Sequence, residues 1–162
     1  MYQKYERYAV NQIESYLYEV TGEWQDDIHD LKTRILIDVL SFKIVEAESN
    51  GEGVPFDICR QGLARIKDII GASIGPGLSR TVRSTIMGSQ GCTHLGEMIM
   101  GSVKAFIQAA SRQIPDKDME ELYAAKWREW IGHYSDQCVY FSQPDVSREE
   151  IIQAISKAGK PS

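Results

Sequence analysis

The sequence predicts an α+β fold: a three-stranded antiparallel sheet in the N-terminal half, covered on one face by four to five helices. Two observations carry this. Hydrophobic residues recur with a period near two before Asn50 and near 3.6 after Asp57. Between them, Asn50-Gly51-Glu52-Gly53-Val54-Pro55 is dense in turn formers and marks the change of regime. Strands first and helices after place the helices together against one sheet face. The chain of 162 residues fits a single domain with a buried core. Residues 1–50 form the β-meander, 56–131 the helical layer, and 132–162 a C-terminal extension with a final helix.

Residues 1–12 are mixed in character and read as peripheral. From Glu14 to Val20, Tyr16, Tyr18 and Val20 alternate with Ser15, Leu17 and Glu19, the pattern of a strand that Gly22 breaks. The acidic run Asp26-Asp27-Ile28-His29-Asp30 follows as a loop. In the second strand Leu31, Thr33, Ile35 and Ile37 share one side, with Lys32, Arg34 and Asp38 opposite. Asp38-Val39-Leu40-Ser41 is a tight connection to a third strand, Phe42 to Glu48. So short a link allows only antiparallel pairing.

The helices come next. Asp57 is an N-cap residue type, and Ile58, Leu63, Ile66, Ile69 and Ile70 make a stripe that Gly71 ends. Gly75-Pro76-Gly77 is a turn before a short helix on Leu78, Val82 and Ile86, closed by Gly88. A central helix runs from about Thr93 to Arg112, with Thr93 as N-cap and Leu95, Met98, Ile99, Val103, Phe106 and Ile107 inward; Pro115 stops it. Asp116 to Ile131 reads as a further helix through Met119, Leu122, Tyr123, Trp127 and Trp130. Ser147-Arg148-Glu149-Glu150 is a capping box that opens a terminal helix through Lys157.

Composition narrows the function classes. A formal charge of −5, with no basic stripe on any predicted face, argues against nucleic acid. No apolar run reaches membrane-spanning length, and the polar N-terminus lacks a signal-peptide core. Three widely spaced cysteines make no disulfide framework, so the expected setting is a reducing cytoplasm, with the thiols open to ligation or reaction.

Gly91-Cys92-Thr93-His94-Leu95 focuses the chemistry. Cys92 and His94 straddle the start of the central helix, whose positive dipole end favours a thiolate. His29 and Asp30 precede the second strand, and Cys59 begins the first helix. Junctions at one end of a sheet can converge, so Cys59, Cys92 and His94 with His29 or Asp30 form a candidate zinc or iron site, with Cys138 as a reserve ligand. A second chemistry uses Cys92 as a nucleophile, with His94 or His29 as base, Asp30 orienting that base, and the Thr93 and His94 N–H groups as an oxyanion site. A third makes the cysteines core residues of a metal-free interaction protein. Cys138 and His133 sit among Tyr134, Tyr140 and Phe141, which favours packing. Gly75-Pro76-Gly77 lacks the lysine and spacing of a phosphate loop. Arg60, Arg65, Arg80 and Arg83 form a solvated face that has at most an anion to hold.

The run Ile74-Gly75-Pro76-Gly77-Leu78-Ser79-Arg80-Thr81-Val82-Arg83, followed by Gly91-Cys92-Thr93-His94-Leu95, resembles a bacterial family, domain of unknown function 2889. His29-Asp30, Pro55 to Cys59 and Cys138-Val139-Tyr140 fit the same pattern, over roughly residues 20–141. The resemblance implies a set of functional residues and no reaction. A remoter likeness is to the iron–sulfur scaffold fold of the NifU N-terminal domain, with His29-Asp30, Cys59 and Cys92 at its ligand places. Histidine stands where that family has its first cysteine, which leaves a mixed His/Cys/Asp zinc or iron site rather than a cluster nest. Such a protein is expected to act as a metal or cluster carrier, or as an accessory subunit of another enzyme. A protein recipient is then the expected partner, with neither nucleic acid nor membrane involved.

Overall fold

The computed structural model describes residues 1–110, 139–145, 147, 149, 150 and 153. It is α+β, but the sheet has four strands: β1 (Tyr5–Glu14), β2 (Leu17–Gln25), β3 (Asp30–Asp38) and β4 (Lys43–Gly53). They pair antiparallel in the order β1-β2-β3-β4, a plain meander. Among the described residues three α-helices follow: α1 (Cys59–Ala64), continued by a 3₁₀ turn (Arg65–Ile69), then α2 (Leu78–Thr85) and α3 (Thr93–Ala110). The expected three-stranded sheet under four to five helices is therefore not the fold. The expected likeness to the iron–sulfur scaffold fold is lost with it.

The corrections have physical causes. The stretch read as peripheral is the edge strand β1, where only Tyr8, Ala9 and Val10 are even half-buried. With one neighbour and so little apolar content, it shows no alternation. Gly22 does not end β2; it pairs with Tyr8 on one side and Thr33 on the other. A Cβ there would lie 2.6 Å from Thr33 Oγ1 and 3.1 Å from the Tyr8 ring, so the missing side chain makes room for its neighbours. Gly51, read as loop, lies within β4 for the same reason: its Cβ would meet Leu63 at 2.7 Å and Leu31 at 3.2 Å. The first helix is shorter than expected. Ile58, not Asp57, precedes it, without a side-chain cap.

Alternation decides the rest. Tyr18, Val20 and Trp24 of β2, Leu31, Thr33, Ile35 and Ile37 of β3, and Ile44 and Ala47 of β4 are all buried. Leu95, Met98, Ile99, Ser102, Val103 and Phe106 of α3 are buried as well, and the Phe106 ring meets Tyr18 of β2 at 5.6 Å. On the opposite face Arg34 pairs with Glu19 at 2.5 Å and Glu46 at 3.4 Å. The β3–β4 link is a tight turn as expected, because Asp38 Oδ1 accepts the Leu40 N–H at 2.7 Å. Beyond β4, Ile44 N–H donates to Ala72 O, and Gly71 and Ile74 N–H donate to Ile44 and Phe42 O, which covers the sheet's outer edge. Gly77 (φ 98°) supplies the left-handed residue that starts α2.

Residues Met1–Ile107 form one compact unit and Gln108–Ser162 a second. In the second, Ser147 Oγ accepts the Glu150 N–H at 3.1 Å, the cap expected there. The Tyr140 hydroxyl donates to Glu150 at 3.0 Å. The expected helix at 116–131, with His133 and Cys138, lies outside the described residues. No helix among the described residues is long and apolar enough to cross a membrane.

Candidate functional site

The turn between β2 and β3 is built on one carboxylate. Asp26 Oδ1 accepts the backbone N–H groups of Ile28 (3.0 Å) and His29 (2.8 Å), which closes the link to β3. Its Oδ2 accepts the Trp24 indole N–H at 3.0 Å and the Tyr2 hydroxyl at 3.3 Å. His29 Nδ1 lies 3.0 and 3.1 Å from the two oxygens. A carboxylate with this many donors only accepts, so Nδ1 carries the proton and Nε2 is left facing outward from the pair. Burial works against the Asp26 charge. The Trp24 indole, the Ile28 amide and then both His29 donors outweigh it and hold the carboxyl far below its ordinary range.

The second half of the site comes from α3. His94 falls in its first turn, and its ring centroid lies 4.3 Å from that of His29, tilted by 48°. The Trp24 ring meets His94 edge-on at 4.9 Å, and Lys4 Nζ lies 4.2 Å over the Trp24 ring. Burial and the neighbouring His29 push the His94 pKa down, against the pull of Asp26 and Glu97. Two imidazoles thus share one corner at the end of the sheet, one of them braced by a carboxylate.

Cys92, not Thr93, caps α3. Its Sγ accepts the Leu95 N–H at 3.5 Å and its carbonyl accepts the Gly96 N–H at 3.1 Å. The Cys92 N–H donates to Ile86 O at 2.8 Å. Gly91 is required just before it, because a Cβ there would run into the Ile86 carbonyl. Gly62 of α1 packs on the same spot, its Cβ position 2.9 Å from Gly91 O and 3.3 Å from Cys92 Cβ. Cys59 opens that helix one turn earlier, and both thiols are half-buried and free. Asp30 begins β3 and pairs with Gln25 and Gly53.

Of the residues expected from sequence, the structure therefore gathers His29 with His94, and sets Cys92 at the head of the same helix. The carboxylate that meets His29 is Asp26. Among the described residues no three His, Cys, Asp or Glu side chains gather in a way that could hold a metal ion. Sequence reasoning passed over Asp26 and Trp24. Their signals were present: an aspartate three residues before a histidine in a turn-forming run, and a tryptophan continuing the inward series Tyr18, Val20, Gly22.

The family pattern described as "Protein of unknown function (DUF2889)" matches residues 10–108, more than half of the chain. No curated protein and no solved structure matches it. The chain belongs to the DUF2889 family.

Proposed function

We propose that this member of the DUF2889 family binds a labile divalent metal ion, zinc or iron, between His29 and His94, and acts in the cytoplasm as a carrier or accessory protein that passes it to a protein partner. The observation that carries this reading is the Asp26–His29–His94 arrangement. A histidine that gives one ring N–H to a carboxylate presents its other nitrogen in a fixed direction, the usual support of a metal-binding imidazole. His94 has a lowered proton affinity, so it is available as a neutral ligand near pH 7. Two imidazoles do not make the closed four-ligand shell of a structural zinc site. Positions left to water or to a partner's side chain suit an ion that must leave again. Cys92 is the candidate third ligand, and Cys59 and Asp30 are candidates behind it.

Zinc titration of the full chain against a chromophoric chelator tests this. One equivalent is expected, with affinity reduced at least tenfold by His29→Ala and by His94→Ala, and by about 10–100-fold by Asp26→Asn. Undiminished binding in the double histidine variant would overturn it. Cys92→Ser and Cys59→Ser, measured alongside, show whether thiolates join the imidazoles. The cysteine-enzyme reading is favoured by one observation, the Leu95 N–H aimed at Cys92 Sγ. Its signature is rapid alkylation of Cys92 in protein that binds no zinc.

A further inference from the structure

One turn of α3 beyond His94, a cavity of about 300 Å³ opens between β1, α2 and α3. Glu6, Arg83, Glu97, Met100, Gly101 and Lys104 are among the residues that line it. Their charges are not all spoken for. Glu6 is engaged by Lys4 at 2.6 Å and by the Tyr8 hydroxyl at 2.9 Å. Among the described residues, Glu97, Arg83 and Lys104 make no hydrogen bond or ion pair. Of the four arginines expected on a solvated face, Arg65 is held by Asp68 and Arg60 by the Gly51 carbonyl. Arg83 faces the cavity instead.

The helix separates these charges. Glu97 and Lys104 are seven residues apart, two turns on one face and roughly 10 Å along the axis. Lys4 is close enough to feel both Glu6 and Glu97, and its one positive charge against two carboxylates leaves that end with a net negative charge. Met100 and Gly101 lie between, an apolar floor with no side chain at Gly101, where the Tyr8 ring occupies the place of a Cβ. The volume is that of about ten waters, at roughly 30 Å³ each, so it suits a molecule of about that many non-hydrogen atoms. An unpaired carboxylate at one end and two unpaired cations elsewhere on the wall complement a ligand of split charge.

We propose that this cavity binds a small zwitterion, its ammonium group toward Glu97 and its anionic group toward Arg83 and Lys104. Guanidinium takes a carboxylate or a phosphate through paired N–H donors, and the lysine adds a point charge. The proposal does not rest on the metal reading: Glu97 pulls on the His94 proton from one turn away, but neither histidine lines the cavity.

Calorimetric titration of the full chain in chelator-containing buffer, with 5-aminopentanoate and with phosphoethanolamine, tests it. Saturable binding of at least one is expected below about 10 mM, at least tenfold tighter than its N-acetyl counterpart. Which probe binds tells carboxylate from phosphate. Glu97→Gln should erase the preference for the free amine, and Arg83→Gln with Lys104→Gln should weaken binding at least tenfold. All three positions are exposed on helix surfaces, so these variants keep the fold. Failure of both probes to saturate, equal affinity for the acetylated forms, or binding indifferent to the substitutions would each overturn the proposal.

Discussion

The contact between α3 and the sheet is made twice over, once in apolar form and once in polar form. Toward the C-terminal part of α3, Phe106 meets Tyr18 and Phe42 edge-on at centroid distances of 5.6 and 6.0 Å, and Phe106 and Tyr18 are fully buried. At its N-terminal end the same two layers meet through Trp24, His29 and His94, with a carboxylate behind them. The first region gains its energy from area removed from water. The second holds several donors on one acceptor and two imidazoles in contact, an arrangement that fixes directions more than it buries surface. A fold needs regions of the first kind. The second kind, at an edge where packing does not require it, is where chemistry belongs.

Truncation should separate the two regions most sharply. Phe106→Ala is expected to cost about 3–5 kcal/mol, because the side chain is fully enclosed and its removal leaves a cavity between the two edge-on rings. His94→Ala, half-buried at the other end, should cost about 1 kcal/mol. Urea unfolding of both variants makes the comparison. Equal losses would mean that the histidine corner is a part of the core and would remove the reason for treating it as a site.

Next in size is the carboxylate itself. Asp26→Ala orphans the indole N–H, two backbone N–H groups and the His29 ring N–H, a loss of about 2–3 kcal/mol. Acid distinguishes its contribution from that of His94. The Asp26 carboxyl is held below its ordinary value of 3.8, so the stability it confers is complete above that pH and is lost as pH falls beneath it. His94 is held below its ordinary 6.5, so the unfolded chain takes up the proton first. Stability should therefore decline as pH drops below 6.5, level off once the folded imidazole is protonated too, and fall again below about 4. His94→Asn should flatten the upper step alone. Metal-free unfolding curves between pH 7.5 and 3 would refute the assignment if the upper step survived that change.

The sheet interior was legible because a period of two leaves little freedom once one face is buried. Leu31, Thr33, Ile35 and Ile37 announce β3 without help from the rest of the chain. The run from Leu78 to Ile86 was legible in the same way, through Gly77 before it and a 3.6 period within it. What stayed hidden depends on partners distant in sequence. β1 is a strand because β2 lies beside it, and Gly22 and Gly51 sit in strands because Tyr8, Thr33 and Leu63 occupy the space that side chains would take. The site shows the same division. Gly91-Cys92-Thr93-His94-Leu95 marked the helix start to within one residue, with the cap at Cys92 and not at Thr93, while the partner of His29 proved to be Asp26, chosen by turn geometry and not by adjacency as in Asp30.

Cys92 gives the smallest expected effect and the finest discrimination. Its thiol is a long-range acceptor for the Leu95 N–H, a weak version of what a hydroxyl does at the head of a helix. Serine caps better than cysteine, so Cys92→Ser should leave stability unchanged or raise it by a few tenths of a kcal/mol, whereas Cys92→Ala should lower it by about 0.5–1 kcal/mol. A purely capping role predicts that the serine variant matches the natural chain in zinc affinity as well as in stability. A ligand role predicts that the two measurements part company: the fold holds while the metal is lost, because a hydroxyl at the same place is a poor substitute for a thiolate. The two quantities measured on one conservative variant thus decide whether the polar end of α3 extends from its histidines to its cysteine.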